Sequence, residues 1–362
     1  MIKKYITLGE VCEKGSSTIM QKDLSLGNGP YQIYGASGLL GTVDFYKQEK
    51  EYIGIVKDGA GVGRAMLLPE KSSCIGTMQY LIPRENINVR FLFYAIESMN
   101  LAKYNTGATI PHIYFKDYKK EVLPLFDIQE QQEIAHQFDK IKSLISYRQS
   151  QLKYFDDLVK SQFIEMFGGY SLRDKQPHWV KIGSVAEVVG GSTPKTEKRE
   201  FWGGNHCWIT PAEIDDDSFI VKNTVRRLTD EGVKSCSLKR LPIGTVLLSS
   251  RAPIGKVAIA GVEMYCNQGF KNLICGQSLN SIYIYYLLKF NSEYLNSLGR
   301  GATFKEISKA IVNNIAIPVP EMKRQNQFAA FVEQTDKSKF RIKQSLENLE
   351  KCYKALLQKY FG

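Results

Sequence analysis

The chain has 362 residues, and its 48 Lys and Arg against 37 Asp and Glu give a formal net charge of +11. Hydrophobic residues at 43% and charged residues at 23% argue against a mainly disordered protein, and the lack of an apolar run of about 18 residues argues against a membrane span. At roughly 150 residues per domain this length predicts two or three domains, and the positive charge favours a polyanionic partner such as nucleic acid.

The first predicted element is a globular segment, residues 1–126, which is rich in glycine, aromatic and β-branched residues. Its first residues are too weakly apolar to predict a secretion signal. A run at 52–57 predicts a strand, and the sequence KDGAGVGR at 57–64 follows it. These glycines would let backbone N–H groups approach a phosphate, but a tight hairpin needs them equally. No GK[ST] follows, so the loop is not of the Walker type.

A long helix is predicted next, over 127–168. Its apolar residues recur alternately four and three positions apart, which is the 3.5-residue period of a coiled coil. No Pro or internal Gly interrupts the pattern before Gly168, and forty residues at 1.5 Å each make a helix of about 60 Å. The predicted seam positions of this helix are Phe138, Ile141, Ile145, Leu152, Phe155 and Val159.

A second globular segment, residues 169–320, has strand-like runs within 245–261. GGSTPK at 190–195 precedes aromatic residues that are better suited to bracing this loop than to stacking on bases. SRAPIGK at 250–256 places two basic residues around a turn, where Arg suits a guanine edge and Lys a phosphate, or where both are simply solvated. NQGFK at 267–271 offers amides suited to adenine edges.

A second long helix is predicted over 321–362, and it belongs to an internal repeat. Shifting the sequence by 194 positions places 107–168 over 301–362 without a gap, and the Gly-Ala-Thr triplet, one Pro, one Gln and a final Phe-Gly recur in both copies. Two unrelated helices are the alternative. Equal length, phase and flanks favour a helix pair, because neither helix buries its apolar stripe alone. The predicted seam positions of the second helix are Ile342, Leu346, Leu349, Tyr353 and Leu356.

Residues for catalysis or metal binding are sparse. The four His form no metal-ligand pattern with Cys, and the Asp run at 215–217 is typical of a loop. Seven scattered cysteines without a C-x-x-C pair fit a reducing cytoplasm. Neither G-x-S-x-G nor the F-x-G-x-G and Asn-Pro-Pro-aromatic motifs of amino-methyltransferases is present. We therefore expect a non-catalytic, cytoplasmic protein that binds no metal or cofactor itself.

As an ordered set, these segments resemble the specificity subunit of type I restriction–modification systems over nearly the whole chain. The first globular segment carries PYQIYGASGLLGTVDFY and EYIGIVKDGAGVGRA, and the second carries VVGGSTPKT, EFWGG, CWITPAEI, LLSSRAPIGKVAI and CNQGFKNLI. DIQEQQEIA and SQFIEMFG are similar to the central helix of the family. One departure is MKRQNQF in the second copy, where the first copy has IQEQQEI.

The resemblance implies an α+β fold. Two α/β target recognition domains, 1–126 and 169–320, would alternate with a central conserved helix, 127–168, and a C-terminal conserved helix, 321–362. The helices would form an antiparallel coiled coil with pseudo-twofold symmetry and fix the spacer between two halves of a bipartite DNA site, one half recognised by each domain. The implied partners are double-stranded DNA, two modification subunits that carry S-adenosylmethionine, and translocase–nuclease restriction subunits, with no membrane involved.

Because the two recognition domains share few residues, we expect the two half-sites to differ. The candidates for DNA contact are polar and basic loop residues, among which phosphate contacts should outnumber base contacts. In the first domain they are Lys57, Arg64, Thr109, His112 and Lys116. In the second domain they are Thr193, Lys195, Arg251, Lys256, Asn267, Gln268, Lys271, Arg300 and Lys305. The alternatives are a DNA-binding protein without a methyltransferase, a coiled-coil scaffold that binds only protein, and an enzyme with an unrecognised motif.

Overall fold

The structure, a computed structural model, describes residues 4–107, 109–169, 171–174, 176–215, 217–301 and 305–362. The chain forms two compact units, unit 1 with Met1–Gln151 and Ile342–Gly362, and unit 2 with Leu152–Arg341. Each unit therefore combines one globular segment with parts of both long helices. Four residues of the sequence motifs lie outside the described residues: Ala108, Ala302 and Thr303 of the repeated triplet, and Asp216 of the Asp run.

Numbered in chain order, the long helices are α4, Ile128–Phe167, and α10, Met322–Phe361. At the start of α4 the Asp127 carboxylate accepts the Glu130 N–H at 2.8 Å and the Glu130 carboxylate accepts the Asp127 N–H at 3.2 Å, which forms a capping box. Gly168 follows the helix with a φ of +83°, the left-handed conformation that glycine adopts without strain. Both helices lie within one residue of the predicted bounds.

The globular part of unit 1 has a four-stranded sheet of order β2-β8-β5-β6, a three-stranded sheet of order β4-β3-β7, and the pair β1-β9. Its strands are β1 (Tyr5–Thr7), β2 (Cys12–Ser16), β3 (Tyr31–Gly35), β4 (Gly38–Val43), β5 (Tyr52–Val56), β6 (Ala65–Leu68), β7 (Ser73–Cys74), β8 (Met78–Pro83) and β9 (Val122–Pro124). Its helices are α1 (Leu8–Val11), α2 (Val89–Ser98) and α3 (Phe115–Tyr118).

The globular part of unit 2 has a five-stranded sheet of order β11-β18-β15-β16-β13, a three-stranded sheet of order β14-β12-β17, and the pair β10-β19. Its strands are β10 (Val180–Lys181), β11 (Ala186–Gly190), β12 (Trp202–Ile209), β13 (Ile220–Val221), β14 (Arg226–Leu228), β15 (Val246–Leu248), β16 (Val257–Ala260), β17 (Met264–Cys266), β18 (Lys271–Cys275) and β19 (Ala316–Ile317). Its helices are α5 (Ile182–Val185), α6 (Asp230–Lys234), α7 (Ser281–Phe290), α8 (Ser292–Ser297) and α9 (Lys309–Asn313).

The two globular parts share one topology. The order β2-β8-β5-β6 in unit 1 corresponds to β11-β18-β15-β16 in unit 2, where β13 is added at the edge. In the smaller sheets the central strand pairs antiparallel with one neighbour and parallel with the other, both for β3 and for β12. The internal repeat therefore extends from the helices into the globular segments, although their sequences have diverged.

A buried glutamine attaches each long helix to the globular part in the same way. Gln131 accepts the backbone N–H of Asn88 at 2.8 Å, and Gln325 accepts the backbone N–H of Asn280 at 2.8 Å. Each glutamine also donates to two backbone carbonyls. The asparagine side chains in turn cap the N-termini of α2 and α7. In each unit these bonds give partners to one backbone N–H and two backbone carbonyls, and so connect the start of the long helix to the segment before α2 or α7.

In unit 1, α4 and α10 run antiparallel and pack with α2. The Tyr360 hydroxyl donates to the Gln137 side chain at 3.1 Å, whereas Lys142, later in α4, lies 5.6 Å from the ring centroid of Tyr353, earlier in α10. Phe138 is fully buried between these helices, with its ring centroid 5.5 Å from that of Tyr353. Burial of such an aromatic side chain stabilises the unit by about 1.5–3 kcal/mol.

In unit 2 the same two helices also run antiparallel. Lys339 donates to the Asp156 carboxylate at 2.5 Å, whereas Phe163, later in α4, packs on Phe328, earlier in α10, at 5.3 Å between centroids. Phe163 also stacks on Tyr283 of α7 at 5.8 Å. Across the two units, the predicted seam residues Phe138 and Val159 are buried, and the half-buried ones are Ile141, Ile145, Leu152, Phe155, Ile342, Leu346, Leu349, Tyr353 and Leu356.

Candidate nucleic-acid interface

The glycine-rich loop of unit 1 is a hairpin between the antiparallel strands β5 and β6. Val56 donates its N–H to the Arg64 carbonyl at 3.0 Å, and Gly63 donates to the Val56 carbonyl at 2.8 Å. Gly61 and Gly63 have φ angles of +85° and +84°, and a Cβ on Gly63 would lie 2.4 Å from the backbone nitrogen of Ala102. Turn geometry and this close approach therefore account for the glycines.

This hairpin is bonded to the segment that carries His112. Gly59 donates to the Pro111 carbonyl at 2.9 Å, and Ile113 donates to the Lys57 carbonyl at 3.0 Å. The pairing brings together Lys57 and His112, two predicted DNA contacts that are 55 positions apart in the sequence. Tertiary pairing thus forms one basic cluster from two loops.

Asp58 is the acidic partner at the centre of this cluster. Its carboxylate is hydrogen-bonded to Nδ1 of His112 and lies 3.8 Å from Nζ of Lys57. The His112 ring contacts Tyr114 at 4.1 Å between centroids, and Nζ of Lys116 lies 5.1 Å from the Tyr114 centroid. The cluster combines donors with an aromatic surface, and Asp58 offsets part of its positive charge.

Two other candidates of unit 1 lie at the surface. The Arg64 side chain is exposed, and its guanidinium donates to the backbone carbonyl of Ala36. Thr109 is exposed in a bend. Their exposure is compatible with contact to a ligand.

In unit 2 the central acidic group is Glu306, which is not among the contact residues predicted from the sequence. Its carboxylate accepts from Nε of Arg251 at 3.0 Å and from Nζ of Lys271 at 3.1 Å. Burial raises the pKa of Glu306, but the hydrogen bonds and positive charges of Lys271 and Arg251 outweigh that effect and hold the pKa below its ordinary value. Glu306 is therefore ionised at neutral pH and binds two of the predicted DNA contacts.

Lys256 and the amides of unit 2 also have partners within the protein. Nζ of half-buried Lys256 donates to the Ile214 carbonyl at 2.7 Å. Thr193 donates its hydroxyl to the Gln268 side chain, and the Asn267 side chain accepts the Gly269 N–H at 2.9 Å. A DNA contact by these groups would require exchange of, or addition to, these bonds. Lys195, Arg300 and Lys305 are exposed basic candidates of unit 2, as is Arg251.

A cation–aromatic cluster beside the 190–195 loop was not predicted as a contact. The Trp202 indole N–H donates to the Lys195 carbonyl at 3.3 Å and that of Trp208 donates to the Ser192 carbonyl at 3.1 Å, so the aromatics brace the loop. Arg226 lies over Trp202, with Cζ 3.5 Å from a ring centroid. The adjacent arginines at 226–227 are a sequence signal that would have identified this cluster.

The described ranges contain no group of three or more His, Cys, Asp or Glu side chains arranged to hold a metal ion. The cysteines have free thiols, and burial raises the pKa values of Cys12, Cys74 and Cys266 to about 12. Those three thiols are therefore protonated at neutral pH. In the part of the chain that the structure describes, no helix is both long and apolar enough to cross a membrane.

The sequence model of the type I restriction modification DNA specificity domain matches this chain twice, at residues 3–154 and 178–351. The MjaIX specificity subunit of Methanocaldococcus jannaschii is 40% identical over 184 residues, which cover 50% of this chain and 43% of that protein. The EcoR124I/EcoR124II specificity subunit of Escherichia coli is 25% identical over 57% of this chain and 52% of its own length. This chain thus spans about half the length of these two relatives.

A longer match is the MjaVIII specificity subunit of M. jannaschii, which is 30% identical over 327 residues, or 83% of this chain and 76% of that protein. Among solved structures, the type I S subunit from M. genitalium superposes with a TM-score of 0.68 at 16% identity, covering 99% of this chain and 96% of that one. A second solved chain comes from a structure that describes complex assembly and conformational transition of the type I system. It superposes with a TM-score of 0.55 at 18% identity, covering 99% of this chain and 97% of that one. At these identities the structural matches support the fold.

Proposed function

Because this chain belongs to the family of type I restriction modification DNA specificity domains, we propose that it is the subunit that selects the DNA sequence in a type I restriction–modification complex. The observation that most strongly supports the proposal is the double match of one DNA specificity domain to two units of the same topology. Two such domains in one chain suit a bipartite DNA site, with one half-site for each.

We assign recognition of DNA to the segments 1–126 and 169–320. Each has a loop cluster in which basic groups surround one carboxylate, Asp58 in the first and Glu306 in the second. The donors differ, with imidazole and ammonium in the first cluster and guanidinium and ammonium in the second. Different donors favour different base edges, so we expect an asymmetric site.

We assign spacing and partner binding to the helical segments 127–168 and 321–362. Together they would fix the number of base pairs between the half-sites and bind two modification subunits, which carry S-adenosylmethionine and transfer the methyl group. Translocase–nuclease subunits would join that complex for restriction in the cytoplasm. This chain has no chemistry of its own in the proposal, in keeping with the sparse catalytic motifs in its sequence.

The test is the methylation pattern of a host that produces this chain together with its modification subunit. Sequencing that detects methylated bases should find one bipartite motif with unlike halves, and deletion of this chain should abolish it. Exchange of 169–320 for the same segment of a relative should change one half only. A motif that survives the deletion refutes the proposal, and two identical halves refute the asymmetry.

A gel shift separates the proposal from the alternative of a scaffold that binds only protein. Duplex DNA carrying the motif should bind the assembled complex, with an affinity that falls as salt rises, because basic side chains displace counterions from phosphates. The scaffold alternative predicts no shift. The isolated chain should show neither methyl transfer nor nuclease activity, and either activity would favour the enzyme alternative.

A further inference from the structure

We propose that Glu306 is a positioning residue that presents the guanidinium of Arg251 to a guanine in the half-site recognised by unit 2. The inference rests on the proposed function and deepens it, because it names one recognised base and the two side chains that select it. Glu306 itself contacts no DNA in this proposal and acts through Arg251.

Backbone hydrogen bonds join the three chain segments that carry Arg251, Lys271 and Glu306. Arg300 and Glu306 exchange a pair of backbone bonds at 3.1 and 3.0 Å, and Ile307 donates to the Ser250 carbonyl at 2.9 Å. Ser250 in turn donates its N–H to the Gly269 carbonyl at 2.7 Å, two residues before Lys271. The Cα positions of Arg251, Lys271 and Glu306 are therefore set before any ligand arrives.

The contact between Arg251 and Glu306 uses only one of the arginine donors. Oε2 of Glu306 accepts from Nε, and within the described ranges neither terminal amino group of Arg251 has a hydrogen-bond partner. The Arg251 side chain is 48% exposed. A guanidinium held through Nε retains the planar pair of terminal donors that matches O6 and N7 of guanine in the major groove.

Lys271 stabilises the ionised form of the Glu306 carboxylate and also adds a second positive charge to the cluster. Its side chain is only 14% exposed, and its Nζ lies 3.1 Å from Oε1 of Glu306 and 3.3 Å from the Ser250 hydroxyl. One carboxylate with two cations has a net charge of +1, so the cluster attracts DNA. The Arg251 side chain is 48% exposed and that of Glu306 34%, so their ion pair adds little to folding stability and its main effect is on the orientation of Arg251. The pair with the less exposed Lys271 does contribute to stability, and thermal melting of Glu306→Ala measures that contribution separately from the base preference.

The experiment selects DNA from a randomised duplex pool with the full chain assembled with its modification subunit. The variants are Arg251→Ala, Arg251→Lys, Glu306→Ala and Glu306→Gln. Glu263→Gln is the matched control, because Glu263 pairs with Arg240 at an exposed site of the same unit. Sequencing of bound DNA gives the base preference at each position, and thermal melting of each sample checks folding.

We expect the wild-type motif to contain one guanine whose preference falls about 10- to 100-fold with Arg251→Ala, the range for loss of a bidentate base contact. Arg251→Lys should reduce the preference, because a lysine ammonium lacks both the planar fork and the Nε–H through which Glu306 holds Arg251. Glu306→Ala should reduce it at the same position, and Glu306→Gln should reduce it less, because the amide oxygen still accepts from Nε. In the wild type, 7-deazaguanine at that position removes N7 and should weaken binding, but it should not weaken Arg251→Ala further.

The outcomes distinguish the two proposals. If the wild-type complex selects no motif, the proposed function fails. A motif that keeps its guanine preference in Arg251→Ala or Glu306→Ala overturns the inference and leaves the proposed function standing. Equal weakening at every position, with a lower melting temperature, would assign Glu306 a structural role and would also overturn the inference.

Discussion

Replacement of Gln325 by Ala should destabilise unit 2 by about 2–4 kcal/mol. The side chain is fully buried, accepts the Asn280 N–H at 2.8 Å, and donates to the carbonyls of Ser278 at 3.0 Å and Pro320 at 2.7 Å. Alanine leaves three backbone groups without this partner, and each hydrogen bond contributes about 0.5–1.5 kcal/mol. For a unit of this size, each kcal/mol lowers the melting temperature by about 2–4 °C.

The assay is urea unfolding followed by tryptophan fluorescence. All three tryptophans of the chain, Trp179, Trp202 and Trp208, lie in unit 2, so the signal reports that unit. Gln327→Ala on the same helix is the matched control, because Gln327 is exposed and its loss should change the free energy of unfolding by less than about 0.5 kcal/mol. If Gln325→Ala costs no more than this control, the glutamine does not hold the helix to the globular part.

The other predictions concern charge, thiol burial and helix length. If exposed Lys195 contacts a phosphate, Lys195→Ala should weaken DNA binding about equally for all sequences. It should also reduce the slope of log affinity against log salt concentration by about 1. An unchanged slope in a filter-binding titration would show that Lys195 makes no phosphate contact. At pH 8 a thiol reagent should label exposed Cys352 and spare buried Cys266, whose pKa of about 12 keeps it protonated; rapid labelling of Cys266 in the native chain would contradict its burial. Removal of four residues from 140–160 shortens α4 by about 6 Å and should shorten the methylated spacer, so an unchanged spacer would argue against the helices as its determinant.

Much of the helical architecture was predictable from sequence because its signals are local and periodic. The 3.5-residue spacing of apolar residues and the absence of Pro predicted both long helices within one residue of their bounds. The ungapped 194-residue offset aligned Gln131 with Gln325, and the structure gives both the same buried bonds. The glutamine is the same in both copies because each long helix needs it to bind the backbone of its own globular part.

The sheets were less predictable, because strand order depends on pairing between distant segments. Strand-like runs indicated β5 and parts of unit 2, but no local pattern gives the order β4-β3-β7 or its counterpart β14-β12-β17, each of which includes a parallel pair. The sequence predicted that the two globular parts are copies of one unit, but the strand order that they share comes from the structure, since few residues are common to the two segments.

The sequence by itself determined that this chain is a repeat of a globular segment and a 40-residue helix, belongs to a DNA specificity family, and has basic loops. Tertiary structure decided which partner within the protein each of those basic side chains binds. Arg251, Lys256 and Lys271 are all basic residues of loops or loop ends in the sequence, yet Arg251 and Lys271 both donate to Glu306, whereas Lys256 donates to the Ile214 carbonyl. The physical reason is that a charged side chain acquires its orientation and protonation from partners that the fold, and not the neighbouring sequence, brings within hydrogen-bond distance.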